Sequence, residues 1–254
     1  RDTAWLKAKQ EADPLVIVNN ILIDGTACTG RVTIPDSVTS IGDLAFSNCR
    51  TVTDVRVPAN VKSIGQSAFY NCSSLDYINI ADGVESIGVQ AFGNCNALTR
   101  ITIPDSVKTI GGSTFFSCEN LDFLREAVNL TLLDMTFEPE TEVDLTAIEN
   151  LKKLWICRIS NATVTTGQLE NWTSNWSELS ALNLVNDKLT DISPLRNLSS
   201  LQELDIRDNE ITDVSPLKDL PALKTISLSG NRIADTSILE APGRTIFGAD
   251  QQKE

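Results

Sequence analysis

Four segments of the chain, residues 32–54, 55–77, 78–100 and 101–123, align without a gap at a spacing of 23 residues. A unit of that length is one supersecondary turn, too small to bury its own apolar face, so such a chain must stack rung on rung as a solenoid. The units read VTIPDSVTSIGDLAFSNCRTVTD, VRVPANVKSIGQSAFYNCSSLDY, INIADGVESIGVQAFGNCNALTR and ITIPDSVKTIGGSTFFSCENLDF. Phenylalanine recurs at Phe46, Phe69, Phe92 and Phe115, glycine at Gly42, Gly65, Gly88 and Gly111, and cysteine at Cys49, Cys72, Cys95 and Cys118. Each unit opens on alternating residues such as Val55-Arg56-Val57, whose period of two predicts a strand with aliphatics inward and Arg56 outward. An apolar pair such as Val61 and Ile64 follows, then the glycine, where a sharp turn is expected. Stacking predicts ladders of Ile, Phe and Cys through the core.

From Leu179 the period changes to 22 residues over three units, with the string L..L.L..N.L at Leu201, Leu204, Ile206, Asn209 and Ile211 and again at Leu223, Ile226, Leu228, Asn231 and Ile233. Asp187 stands where the first unit should carry Asn. A carboxylate can perform only the accepting half of the amide's work, so a weakened rung is expected there. A longer unit at 154–178 keeps the spacing of Leu154, Cys157, Ile159 and Val164 but inserts three residues. The expected divisions are 1–31 as an N-terminal cap and lead-in rung, 32–123 as the first array, 124–153 as a degenerate junction rung with the acidic patch EPETEVD, and 154–254 as the second array. TAWLKAKQEA at 3–12 reads as an amphipathic capping helix.

With 34 acidic against 21 basic residues the formal charge is −13, which repels phosphate backbones and speaks against a nucleic-acid partner. The chain contains no histidine, so the commonest general base and transition-metal ligand are missing, and no catalytic residue is assigned. No apolar run approaches the length of a membrane span, which argues against membrane insertion, and Arg1-Asp2-Thr3 lacks a secretory-signal pattern. Four of the six cysteines fall at one repeat position and so form a line, which is the wrong geometry for tetrahedral zinc; CxxC spacing is absent. They read as a ladder of buried thiols, with oxidation of neighbouring pairs as the alternative. Cys28, in GTACTG, is the thiol expected to have the best chance of exposure. Asp205, Asp208, Glu210 and Asp213 lack the spacing of a calcium loop and read as a solvated face. No metal and no cofactor is expected.

The string IP..V..IG..AF..C..L, with lapses at Ala81 and Thr114, resembles the BspA-like leucine-rich repeats of bacterial and some protist surface proteins, over about residues 13–123. LTDISPL at Leu189–Leu195 and ITDVSPL at Ile211–Leu217 resemble the internalin-like leucine-rich repeats, over about 154–244. These resemblances imply a leucine-rich-repeat solenoid of the α/β type: a right-handed superhelix with one short parallel strand per rung on a curved face and a short N-terminal capping helix. They also imply a binding module of a secreted or cell-surface bacterial protein, adhering to a protein or glycan of host or neighbouring cells. The alternative is a structural spacer array presenting other domains of a longer surface protein.

The candidate binding residues are the outward strand positions, which the repeat frees from packing: Arg56, Tyr77, Asn79, Arg100, Thr102, Phe123 and Arg125 in the first array, and Arg158, Asn183, Glu203, Asp205 and Arg207 in the second. Arg31, Thr33 and Asp54 share the first face. Tyr and Arg anchor many interfaces. An apolar-aromatic patch on this face would favour binding, and an evenly polar one the spacer.

Overall fold

Short alternating runs bounded by turns make short strands, and the structure, a computed structural model that describes residues 3–118, 121–137 and 144–248, stacks them in repeat register. The chain divides into two units, Arg1–Leu130 and Thr131–Glu254. Of the acidic patch EPETEVD, residues 138–143 lie outside the described residues.

In the first unit the repeat opens with strands β3 (Gly30–Thr33), β5 (Val52–Val57), β7 (Tyr77–Ile80) and β9 (Arg100–Thr102). They pair in parallel, with Val32 beside Val55, Val55 beside Ile78 and Ile78 beside Ile101. A second ladder, which the sequence reading of one strand per rung did not anticipate, runs through the two-residue strands β4 (Ser40–Ile41), β6 (Ser63–Ile64), β8 (Ser86–Ile87) and β10 (Thr109–Ile110). Its signal is the S/T-I-G triplet, in which the aliphatic side chain turns inward. β1 (Val16–Val18) and β2 (Ile21–Asp24) form an antiparallel hairpin whose second strand joins this ladder beside β4. The hairpin begins the stack. The helix α1 (Thr3–Ala12) forms where the sequence placed it, but from Ala4 onward it buries no side chain, and Gln10 ties it down by donating to Asp24 Oδ1 at 3.0 Å.

The core of this unit is a column of stacked rings. Phe46, Phe69, Phe92 and Phe115 are at most 1% exposed, and successive centroids lie 4.9, 5.5 and 5.8 Å apart with nearly parallel planes. Beside it stand the thiols. Cys72, Cys95 and Cys118 each donate to the carbonyl of the phenylalanine one rung back, Phe46, Phe69 and Phe92, at 3.1, 3.1 and 3.3 Å. A small, weakly polar side chain is thus required where a backbone acceptor faces a dry core.

The recurring glycine has a different cause from the sharp turn expected. None of Gly42, Gly65, Gly88 and Gly111 has positive φ; instead a Cβ on Gly88 would lie 2.7 Å from the Gln66 nitrogen and the Gly65 carbonyl carbon, and one on Gly65 2.7 Å from Gly42. The backbones of stacked rungs touch there, and only glycine permits it. Two columns do adopt left-handed backbone: Asn48, Asn71, Asn94 and Ser117, whose short polar side chains tolerate it, and Leu44, Ser67, Gln90 and Ser113, where the stacked turn imposes it on larger residues as well.

In the second unit β11 (Leu132–Thr136), β12 (Ile156–Ser160), β13 (Ala181–Val185), β14 (Glu203–Asp205), β15 (Thr225–Ser227) and β16 (Thr245–Phe247) form one parallel ladder in chain order. Opposite the strands run short 3-10 segments at Thr146–Asn150, Ser193–Asn197, Ser215–Leu217 and Ser237–Leu239. Their start explains the D-x-S string. Asp191, Asp213 and Asp235 each accept the backbone N–H of the serine two residues on with one oxygen, at 2.8 Å, and its hydroxyl with the other. The inserted residues of 154–178 become a helix, α2 (Thr166–Asn175), opened by a capping box between Thr165 and Gln168 and closed over buried Trp172 and Trp176.

Candidate binding faces

On the first unit's β3-β5-β7-β9 sheet the outward side chains fall into two rows. Register places Arg31, Asp54, Tyr77 and Arg100 in one, and Thr33, Arg56, Asn79 and Thr102 in the other. Together, Thr102 apart, they line an open depression of about 610 Å³.

Most of these groups are held. Arg100 reaches Asp76 at 2.9 Å and lies over the Tyr77 ring, 5.1 Å from its centroid. Hydrogen bonds from Thr99 and from Arg100 hold the Asp76 carboxyl below the usual carboxylate range. Asn79 donates to the Tyr77 hydroxyl at 3.1 Å, which fixes the ring's polar end. Arg31 approaches Asp54 at 3.6 Å. Arg56 is the exception: it stands exposed between them, and among the described residues its guanidinium has no ion pair and no hydrogen bond.

Phe123 and Arg125 do not belong to this face. The strand expected at the start of a fifth rung is a 3-10 segment, Asp122–Glu126; Phe123 packs half-buried against Phe115, with centroids 4.7 Å apart, and Arg125 pairs with Asp122 at 3.1 Å. Phe123 covers the end of the ring column, so burial, not recognition, accounts for it.

The second unit's face is more nearly neutralised. Arg158 approaches Asp134 at 3.6 Å, Arg207 grips Asp205 at 2.7 Å from just beyond β14, and Asn183 donates to Asp205 at 3.4 Å. Burial raises the Asp134 carboxyl, an effect the Arg158 charge opposes. Glu203 is exposed and lines, with Asn183 and Asp205, a smaller hollow of about 200 Å³. Asp76 and Asp134, which position the arginines, were not among the sequence candidates. Asp76 sits one residue before its strand, and Asp134 lies in the junction stretch where the repeat pattern lapses.

The remaining candidates for chemistry are spoken for. All six cysteines are free and buried, including Cys28, which the sequence reading had placed nearest to solvent. It is 6% exposed, its thiol faces the Pro14 carbonyl, and burial pushes it up to about 11; the same cause lifts Cys118 to about 12. Of the acidic set, Asp205 and Glu210 pair with Arg207 and Arg232, and Asp213 holds Ser215. Among the described residues no helix is long and apolar enough to cross a membrane.

Comparison with known families agrees with this architecture. Residues 24–139 match the model described as a BspA type leucine rich repeat region, in six copies, and residues 199–241 match that of leucine rich repeats, in two copies. The chain is a leucine-rich-repeat protein. The first match extends past both ends of the four gapless units, so the lead-in segment from residue 24 and the stretch after 123 count as repeats as well. Among solved structures, the leucine-rich-repeat protein is similar to an internalin C2 from Listeria monocytogenes (21% identity, 76% of this chain and 82% of that one, TM-score 0.39). A second internalin of the same organism shows 21% identity over 84% of this chain and 74% of its own, with a TM-score of 0.45. A leucine-rich repeat protein from Bacteroides ovatus shows 20% over 85% and 68%, with a TM-score of 0.38. No curated protein matches the sequence.

Proposed function

We propose that this leucine-rich-repeat protein is the binding module of a secreted or cell-surface bacterial protein, engaging a protein or glycan of host or neighbouring cells through the strand-bearing face of its first unit. The observation that carries the reading is the depression over β3, β5, β7 and β9, where the Tyr77–Arg100 pair is locked in place by Asp76 and Asn79 while Arg56 is left unpaired. An anchor that is already ordered loses little side-chain entropy on binding. Parallel stacking builds such extended surfaces readily, which supports recognition of a macromolecule over catalysis on a small one.

The spacer reading draws on a specific feature too. Tyr77 is the one aromatic residue in the outward rows of the first face, which are otherwise polar, so docking there does not run on apolar area. The two readings separate in a binding screen against extracellular-matrix proteins, mucins and bacterial polysaccharides. Saturable binding that disappears in the Tyr77→Ala, Arg100→Ala double variant identifies the face. No binding to any class leaves the spacer.

A further inference from the structure

Nothing in the overall charge suggests an anionic ligand, since the chain carries −13. The first unit's face is locally the reverse: three arginines, Arg31, Arg56 and Arg100, line its depression against one carboxylate, Asp54. Arg31 and Arg100 are each engaged by an aspartate, and Arg56 is not. An unpaired guanidinium standing free in solution would be unremarkable on a flat surface. Here its neighbours in register are Thr33 and Asn79, which offer hydroxyl and amide groups at the spacing of the strands, about 5 Å. Tyr77 supplies the flat apolar surface beside them. A fork of N–H donors, flanked by neutral hydrogen-bonding groups and an aromatic plate, fits a carboxylate carried on a peptide backbone.

We propose that this face binds an acidic, extended peptide segment of a partner protein, with a Glu or Asp carboxylate on Arg56 and the chain running over Tyr77 towards Arg100. This rests on the reading of the face as a binding site and names the ligand it takes. Arg56 and Arg100 stand two rungs apart and in different rows, about 12 Å, which an extended segment covers in about four residues. A second carboxylate three or four positions along therefore reaches Arg100 and competes with Asp76 for it.

The test uses the whole chain and a fluorescein-labelled decapeptide of alternating Glu and Gly, with the Gln–Gly peptide as its neutral match, read by anisotropy. The Glu peptide is expected to bind saturably and the Gln peptide at least about tenfold more weakly, with binding weakening as salt rises from 50 to 500 mM. Arg56→Gln should cost about tenfold in affinity while leaving the melting temperature unchanged, because Arg56 holds nothing in the fold; Arg50→Gln, an exposed arginine elsewhere, should change neither. Equal binding of the two peptides, or binding indifferent to R56Q, overturns the inference, as does binding of a uronate polysaccharide with none of the Glu peptide. A protein that binds the face, is lost on Tyr77→Ala, and is neither displaced by the Glu peptide nor weakened by R56Q would leave the face a binding site and this ligand assignment wrong.

Discussion

Asp187 should be a misfit whose repair stabilises the second unit, and only above a certain pH. Its side chain is fully buried on the turn after β13, with Oδ1 accepting the Ala162 N–H at 2.7 Å and Oδ2 buried without a partner. One rung on, Asn209 shows what the position wants. Its Oδ1 accepts from Asp187 and Leu189 at 3.0 Å each, and its Nδ2 donates to the carbonyls of Leu184, Ile206 and Arg207 at 2.7, 3.0 and 3.1 Å. By repeat equivalence Oδ2 of Asp187 faces carbonyls, and a carboxylate there meets acceptors with no proton to offer them. Burial accordingly raises its pKa from 3.8 to about 8.

A carboxyl whose folded-state pKa lies above its unfolded value leaves stability intact below the unfolded pKa and drains it as pH rises towards the folded one. The loss should therefore begin near pH 4, grow to about pH 8 and then level off. At pH 7 the unfolded chain has ionised through about three pH units while the folded chain holds its proton, which costs roughly 4 kcal/mol at 1.36 kcal/mol per unit. Asp187→Asn removes this cost and restores the donor. Paired urea titrations of the two proteins should give a difference near zero at pH 4, about 3–4 kcal/mol in favour of the variant at pH 7, and a plateau above pH 8. Taking the difference cancels the titration of the other carboxylates, Asp76, Asp134 and Asp213 included. A gain of the same size at pH 4 and pH 8, or no gain at pH 7, would refute the argument.

Three further outcomes follow from the packing. Phe69→Ala removes a ring from the middle of the stacked column and should destabilise the first unit by about 3–5 kcal/mol, whereas Tyr77→Ala, on the outer face, should cost under about 1; denaturant titration compares them directly. Gly88→Ala drives a methyl group into the Gly65–Gln66 backbone and should lower stability by at least about 2 kcal/mol although it reduces the entropy of the unfolded chain, a sign that a glycine at negative φ with free space would not give. The six thiols should stay unreactive towards a disulfide reagent at pH 8 until denaturant is added, because each is buried and those at Cys28 and Cys118 are pushed up by burial; fast labelling of any one in the folded protein contradicts the ladder.

How much of this was legible in the sequence follows from what a repeat constrains. Inward positions are dictated by stacking, so Phe46, Phe69, Phe92 and Phe115, the cysteine line and the leucine positions of the second array could be placed from spacing alone, and they are where the spacing put them. The reasons behind two of those columns were not legible. The glycines and the cysteines answer to the backbone of the adjacent rung, one to its bulk and the other to its carbonyl, and neither partner is visible in a unit read by itself. Phe123 shows the converse failure. Its place in the unit matches Tyr77, but the alternation that makes a strand lapses after it, and a residue that should have faced out covers the ring column instead.

The same logic explains why recognition is the least legible property of such a chain. Stacking selects what faces inward in every rung alike, while the outward row Thr33, Arg56, Asn79 and Thr102 changes residue from each rung to the next, under no packing rule that a period could reveal. What distinguishes Arg56 on the face is not its type, since arginine also stands at Arg31 and Arg100 in the other row, but that no carboxylate has come to meet it. Asp54 and Asp76 stand where they neutralise the other two; Asp54 belongs to the outward positions the repeat gives, but Asp76, one residue before its strand, could be found only once the structure placed it against Arg100. A charge left uncompensated on an otherwise paired surface is the feature an incoming carboxylate can exploit at least cost, because no existing contact has to break for it to bind.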